Sequence, residues 1–156
     1  MKIDAISDVR KIAQAIFNKE FSWFVQSDPL VVDVAGSHAR IFYVCTRASC
    51  GSDENTSVNC RIHFDANKMW ISSLHVASLF RLQGLGRQLV QTAEATARAL
   101  GVETVEIYPF PSSQNFWRKL GYRQNPRMAR VMGKHLRSLA SEQKVDSTRY
   151  EMAWST

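Results

Sequence analysis

The chain has 156 residues, of which 45% are hydrophobic and 22% charged, and its formal net charge is +6. This length and composition are typical of one globular domain over residues 1–156 and argue against disorder. No apolar run is long enough to cross a membrane and the first residues do not resemble a signal peptide, so we expect a cytoplasmic protein.

The N-terminal half predicts one helix and two β-hairpins. Ser7 is a suitable N-cap for a helix whose apolar residues recur at helical spacing up to Phe24, and Asp28-Pro29 marks its end. Four segments rich in β-branched and aromatic residues follow as two hairpins. They cover residues 30–35, 39–46, 58–64 and 68–76. The polar residues 47–57 between the hairpins predict a loop.

The C-terminal half predicts helices alternating with strands. In chain order, the predicted elements are a helix over residues 86–100, a strand over 102–108, a short helix over 113–120, an amphipathic basic helix over 125–142 and a final strand over 148–154. Gly101 and Gly121 end the first two helices, and Ser112 or Ser113 can cap the short one.

Neither the basic residues nor the cysteines define a site by themselves. The 125–142 segment carries five basic side chains: Arg127, Arg130, Lys134, His135 and Arg137. A solvated helix face and contact with nucleic acid or another acidic partner are both compatible with this cluster. Cys45, Cys50 and Cys60 match no zinc-binding spacing, and we interpret them as reduced structural residues.

The most informative stretch joins a strand ending in Leu74-His75-Val76 to the helix that begins at Gly86. It contains Arg81-Leu82-Gln83-Gly84-Leu85-Gly86-Arg87. Glycines without a Cβ let backbone N–H groups approach an anion, and a helix N-terminus directs its unpaired amides and positive dipole end to the same point. Arginines on either side can add charge-assisted hydrogen bonds. The stretch therefore predicts a pyrophosphate-binding loop, although it lacks the features of a Walker loop or a Rossmann fingerprint.

Two motifs in this order resemble the GNAT superfamily of acyl-CoA-dependent N-acetyltransferases. The first is Leu74-x-Val76 followed by Arg81-x-x-Gly84-x-Gly86, and the second is the segment from Phe116 to Tyr122, Phe-Trp-Arg-Lys-Leu-Gly-Tyr. The resemblance covers residues 69–122. It implies an α/β (α+β) GNAT-like fold, with a mixed central β-sheet of about six to seven strands that is flanked by helices and splayed at the CoA-binding strands.

The resemblance also implies an activity and a set of contacts. The activity is that of a transferase, an acetyltransferase that moves the acetyl group of acetyl-CoA to a primary amine on a small molecule or protein, by direct attack and without a metal. The backbone N–H of Val76 would stabilise the developing oxyanion. The implied cofactor-binding residues are Leu74, Val76, Arg81, Leu82, Gln83, Gly84, Leu85, Gly86, Arg87 and Trp117. Relatives often carry a CoA-contacting Asn seven residues before the position of Trp117, and Asn115 is a nearby substitute for it.

The chain departs from the family pattern at the positions where relatives carry the general acid and the general base. Trp117 occupies the position of a frequent Tyr general acid, and an indole N–H cannot protonate a thiolate. Solvent or Tyr122 is left to supply that proton. Relatives often carry a Glu on the strand before Leu-x-Val, whereas residues 70–73 hold no carboxylate. His75 is then the best candidate for the base, because imidazole titrates near neutrality, and Ser72 can orient a water.

Two other functions remain open on the sequence. One is an acyl-CoA-binding regulatory or partner-binding module with little turnover, suggested by the missing acid and base. The other is a nucleic-acid-associated GNAT protein that uses the basic 125–142 segment. The sequence identifies neither the acceptor nor the oligomeric state, so a homodimer also stays open, and we expect no membrane partner.

Overall fold

The computed structural model describes residues 6–21, 31–45, 56–76 and 84–136. The helices are α1 (Ile6–Glu20), α2 (Leu85–Ala99) and α3 (Gln114–Lys119), with a 3₁₀ turn (Pro111–Ser113) directly before α3. The strands are β1 (Val31–Ala35), β2 (His38–Cys45), β3 (Thr56–His63), β4 (Lys68–His75), β5 (Thr104–Ile107), β6 (Arg123–Gln124) and β7 (Met132–His135). Within these ranges, no helix is long and apolar enough to cross a membrane.

The strands form one mixed seven-stranded sheet in the order β1-β2-β3-β4-β5-β7-β6. β4 and β5 pair in parallel, and every other neighbouring pair is antiparallel. A parallel pair needs a long crossover connection, and α2 supplies it here. The predicted mixed sheet of six to seven strands flanked by helices is confirmed.

Helix α2 packs its apolar face on the sheet and on α1. Leu89, Val90, Ala93 and Ala97 are all fully buried at helical spacing, and burying a Leu or Val side chain contributes about 1.5–3 kcal/mol. The side chain of Gln88 donates a 2.6 Å hydrogen bond to the Glu20 carbonyl at the end of α1. The first turn of α2 is thereby fixed against the core.

A β-bulge interrupts the regular alternation of β4. Asn59 pairs with Ser73, but the next residue of β3, Cys60, pairs with Ile71, so Ser72 is the extra residue. Cross-strand partners share a face of the sheet, and the register therefore divides β4 into two sets. Met69, Ile71 and Leu74 face the core and α2. Trp70, Ser73 and His75 face the opposite side.

The ladder between β4 and β5 stops before β4 ends. Its last pair is Ile71 with Ile107, whereas β4 continues to His75. Pro109 follows shortly after β5 and has no N–H to donate, which favours the end of pairing at this point. The two strands thus part on the side of Leu74-His75-Val76, as the predicted splay requires.

Two predicted helices need correction. The helix predicted over residues 125–142 is wrong for residues 125–136, where β7 pairs with both β5 and β6. Pro126 and Gly133 disfavour a helix there, and two strands supply the backbone partners of β7. Helix α1 already includes Ser7 and ends at Glu20. The predicted loop at residues 47–57 is described only at residues 56 and 57, which belong to β3. Its residues 47–55, the final strand at 148–154 and residues 137–142 lie outside the described residues.

Candidate functional site

The described part of the predicted anion loop begins at Gly84, which is the N-cap of α2. Gly84 has φ +78°, and a Cβ on it would meet no atom within 4 Å. Its carbonyl accepts a 3.0 Å hydrogen bond from the Gln88 backbone N–H, the first bond of the helix. Leu85 is buried and anchors the first turn, while Arg87 is exposed. Arg81, Leu82 and Gln83 lie outside the described residues.

Gly86 allows α2 to approach the end of β4. A Cβ on Gly86 would lie 3.2 Å from Val76 Cγ2 and 3.6 Å from Phe116 Cζ. The first contact is tighter than ordinary van der Waals contact, so any larger side chain must displace Val76. The helix N-terminus, the residue after β4 and α3 therefore meet at this glycine. Phe116 was identified only as part of a motif, and its ring proves to border the loop.

A cleft of about 420 Å³ lies along the solvent side of α2 and starts at Arg87. Its charged lining is mostly basic, with Arg87, Arg98, Lys119 and Lys134 against Glu20 and Glu94. The first turn of α2 holds no acidic residue. The loop and the cleft beside it therefore present positive charge together with the positive end of the helix dipole.

Glu94 neutralises part of this positive charge. Its carboxylate is almost completely buried and lies 3.0 Å from Lys134 Nζ, with Arg98 at 3.9 Å. The Tyr122 hydroxyl donates a 3.0 Å hydrogen bond to the same carboxylate. Burial raises the pKa of Tyr122 well above its usual range, and the Glu94 charge raises it further. Burial and the hydrogen bond to Glu94 argue against Tyr122 as a proton source for the thiolate.

The two cofactor-contact candidates on α3 have different surroundings. Trp117 is 6% exposed, and its ring packs edge to face with Phe116 and Tyr122, each at 5.1 Å between centroids. Its position is therefore in the core, behind Phe116. Asn115 is exposed, and its amide oxygen accepts a 3.4 Å hydrogen bond from Arg118.

The candidate catalytic residues lie where β4 leaves β5. His75 and Ser72 are exposed, with Ser72 in the bulge and His75 on the face opposite α2. Leu74 and Val76 are half-buried and pack against the core. The structure thus brings His75 to the edge of the splay and Val76 to the start of α2.

The stacking of two aromatic rings beside the splay was not predicted from the sequence. Trp70 and Tyr108 stack with 5.3 Å between ring centroids and 11° between planes. Lys68 Nζ lies 2.6 Å from Glu106 Oε1 and 5.7 Å from the centre of the Trp70 ring. Strand alternation places Lys68 and Trp70 on the same face of β4, and Glu106 and Tyr108 on the same face of the β5 segment. Only the register between β4 and β5 brings these two pairs next to each other.

The described residues contain no group of three or more His, Cys, Asp or Glu side chains that could hold a metal ion. Cys60 is a free, fully buried thiol, and burial raises its pKa to about 12. Such a thiol is neutral at physiological pH and cannot act as a nucleophile, which supports a structural role.

The sequence model of the Acetyltransferase (GNAT) family matches residues 15–122. Tetrahymena GCN5 superposes with a TM-score of 0.54 at 12% identity, over 84% of this chain and 88% of its own. An acetyltransferase from Bacillus cereus ATCC 14579 gives 0.54 at 20% identity, over 79% and 90%. A GNAT-family acetyltransferase from Staphylococcus aureus Mu50 gives 0.53 at 14% identity, over 63% and 69%. No curated protein matches the chain in sequence. At these identities the solved structures share the fold.

Proposed function

The chain belongs to the GNAT acetyltransferase family, and on this basis we propose that it transfers the acetyl group of acetyl-CoA to a primary amine by direct attack. The observation that carries the proposal is the N-terminus of α2, where Gly84 adopts a left-handed conformation and Gly86 closes against Val76. We take residues 1–156 as one domain with this activity.

The proposed cofactor site runs from this helix N-terminus to the splay. Backbone N–H groups at residues 84–87, together with Arg81 and Arg87, would hold the pyrophosphate. Pantetheine would lie where β5 leaves β4 and would pair with the main chain at Leu74 and Val76. Asn115 is exposed on the neighbouring helix and available to CoA. Trp117 packs behind Phe116 and supports that ring, and it does not itself contact CoA in this proposal.

The chemistry needs an oxyanion donor, a base and a leaving thiolate. The Val76 N–H would stabilise the oxyanion, a contribution of about 3 kcal/mol for one donor. As the amine nitrogen bonds to the acetyl carbon, its proton passes to His75 or to a water held by Ser72. The carbon–sulfur bond then breaks, and solvent protonates the CoA thiolate, because Trp117 has no acidic proton and Tyr122 is engaged by Glu94.

Calorimetry with acetyl-CoA and CoA tests the cofactor site. We expect saturable binding by the wild type and loss of binding in Gly86→Trp, whose side chain must displace Val76 beside the loop. Arg87→Glu is a second variant at an exposed position, so folding is retained. Arg40→Glu, an exposed residue of β2, is the control with the same change of charge. Absence of acetyl-CoA binding by the wild type would contradict the proposal.

A second candidate function is an acyl-CoA-binding regulator with little turnover. The observation that favours it is the fully buried Tyr122 hydroxyl, which already donates its hydrogen bond to Glu94. Tight CoA binding without release of thiol across a broad panel of amines would support it. Steady amine-dependent release would exclude it. The nucleic-acid alternative loses its predicted basic helix, because residues 132–135 form a strand and Lys134 pairs with Glu94.

A further inference from the structure

The Trp70–Tyr108 pair lies at the point where β4 and β5 separate. Ile71 and Ile107 form the last pair of the ladder, Trp70 directly precedes Ile71, and Tyr108 directly follows Ile107. The two rings therefore border the splay on the face that they share.

That face is opposite the proposed cofactor site. The residues of β4 that face α2 pack in the core, and the N-terminus of α2 contacts Val76 from the same side. Trp70, Ser73 and His75 share the other face by register. A cofactor anchored at α2 leaves this second face for the acceptor.

The rings offer an exposed aromatic surface rather than a closed core contact. Tyr108 is 60% exposed, although it stacks on Trp70. Offset stacking of a further flat ring is favourable and removes apolar surface from water. The surface is therefore suited to a planar hydrophobic group.

The charges on this face disfavour a polycationic acceptor. Glu106 faces the same side as Trp70, but its carboxylate is buried and paired with Lys68 at 2.6 Å. Arg61 is the register partner of Trp70, and Arg40 is the register partner of Arg61. Within the described parts of β2 to β5, Glu106 is the only carboxylate on this face. On these four strands, a molecule with several positive charges meets Arg40 and Arg61 and no unpaired acid.

We propose that the acceptor is an amine carrying an aromatic group, which stacks on Tyr108 and Trp70 while its nitrogen lies near His75. The proposal rests on the proposed acetyltransferase function. His75 lies four residues beyond Ile71 in β4, and the bulge absorbs one of these. Three strand steps at about 3.3 Å each place it roughly 10 Å from Ile71, the residue that directly follows Trp70. The acceptor therefore has a short flexible spacer between its ring and its amine.

Three amines distinguish the effect of an aromatic ring from those of an alkyl chain and of several positive charges. They are 4-phenylbutylamine, n-butylamine and spermidine, in that order. Each is titrated by calorimetry into the full chain with and without CoA, so the acceptor site is tested even if no amine is turned over. We expect 4-phenylbutylamine to bind at least 10-fold more tightly than either of the others. In assays of CoA release, the same order is expected in kcat/KM.

Tyr108→Leu removes the exposed ring without disturbing the core. The dissociation constant and KM for 4-phenylbutylamine should rise about 10-fold, while the values for n-butylamine and acetyl-CoA stay within twofold. Phe110→Leu is the matched control, since Phe110 is also an exposed aromatic residue but does not stack on Trp70. Trp70→Leu should repeat the effect of Tyr108→Leu.

The failures of the two proposals are distinguishable. If acetyl-CoA does not bind, the proposed function fails, and the amine titrations still report on the aromatic surface. The acceptor proposal is overturned if spermidine or n-butylamine binds as well as 4-phenylbutylamine. It is also overturned if Phe110→Leu has as large an effect as Tyr108→Leu.

Discussion

Replacing Gly84 by Ala separates the use of this glycine in binding from its use in folding. Gly84 has φ +78°, and an added Cβ meets no protein atom within 4 Å. The cost to folding therefore comes only from the left-handed conformation. That conformation costs a non-glycine residue about 1–2 kcal/mol, partly offset by about 0.4–1 kcal/mol from the reduced freedom of the unfolded chain. A net loss near 1 kcal/mol lowers the Tm by about 2–4 °C.

The effect on binding should be larger. The open space at Gly84 is where the pyrophosphate is proposed to lie, so a methyl group there displaces it from a backbone N–H. Losing one hydrogen bond to a charged group costs about 1.5–3 kcal/mol, or about 10- to 150-fold in the dissociation constant. Calorimetry with acetyl-CoA measures this change, and thermal unfolding measures the stability of the same sample.

Gly101→Ala is a matched control. Gly101 ends α2 with φ +77°, and its Cβ would also meet no atom within 4 Å. It lies at the opposite end of the helix from the loop. Both variants should lose the same stability, and only Gly84→Ala should lose affinity. Equal affinities for acetyl-CoA in the two variants would refute the placement of the anion at Gly84.

Two further predictions concern buried polar groups. Tyr122→Phe removes the hydrogen bond to the Glu94 carboxylate and should lower the free energy of unfolding in urea by about 1.5–3 kcal/mol. Tyr108→Phe, at an exposed hydroxyl, should change it by less than about 0.5 kcal/mol. Similar values for the two variants would contradict the role of the Glu94 network. Burial raises the pKa of the Cys60 thiol from 9.0 to about 12. As the pH rises, the unfolded chain therefore loses this proton before the folded chain does. The free energy of unfolding should fall between these two pH values by up to about 1.4 kcal/mol per pH unit, and this group should not change it below them. Cys60→Ala, unfolded in urea with a reducing agent, should show a shallower fall over the same range, and an unchanged slope would contradict the raised pKa.

Local patterns in the sequence were sufficient for most elements. Alternation and turn residues predicted β1 to β4, and helical spacing between two glycines predicted α2 within one residue at each end. The 125–136 segment was misread because Met128 and Met132 have helical spacing. Strand β7 forms by pairing with β5, which is distant in the sequence, and with β6, which is only two residues long. The local sequence of β7 does not indicate either partner.

The candidate site also contains features that local sequence predicts and features that depend on contacts between separate elements. The loop residues Gly84 and Gly86 could be found from sequence because both the turn and the close approach demand glycine. The stacking of Trp70 on Tyr108 and the hydrogen bond of Tyr122 to Glu94 could not, because each joins residues from separate elements. The bulge at Ser72 likewise depends on the register with β3, which the sequence of β4 does not contain.

The central claim is that the chain moves an acetyl group from acetyl-CoA to an amine. Incubation of the purified chain with isotope-labelled acetyl-CoA and 4-phenylbutylamine, followed by mass spectrometry, tests it most directly. The account predicts labelled N-acetyl amine and released CoA in equal amounts, both dependent on protein and lost in Gly86→Trp. Binding of acetyl-CoA without labelled product from this or any other amine would contradict the claim.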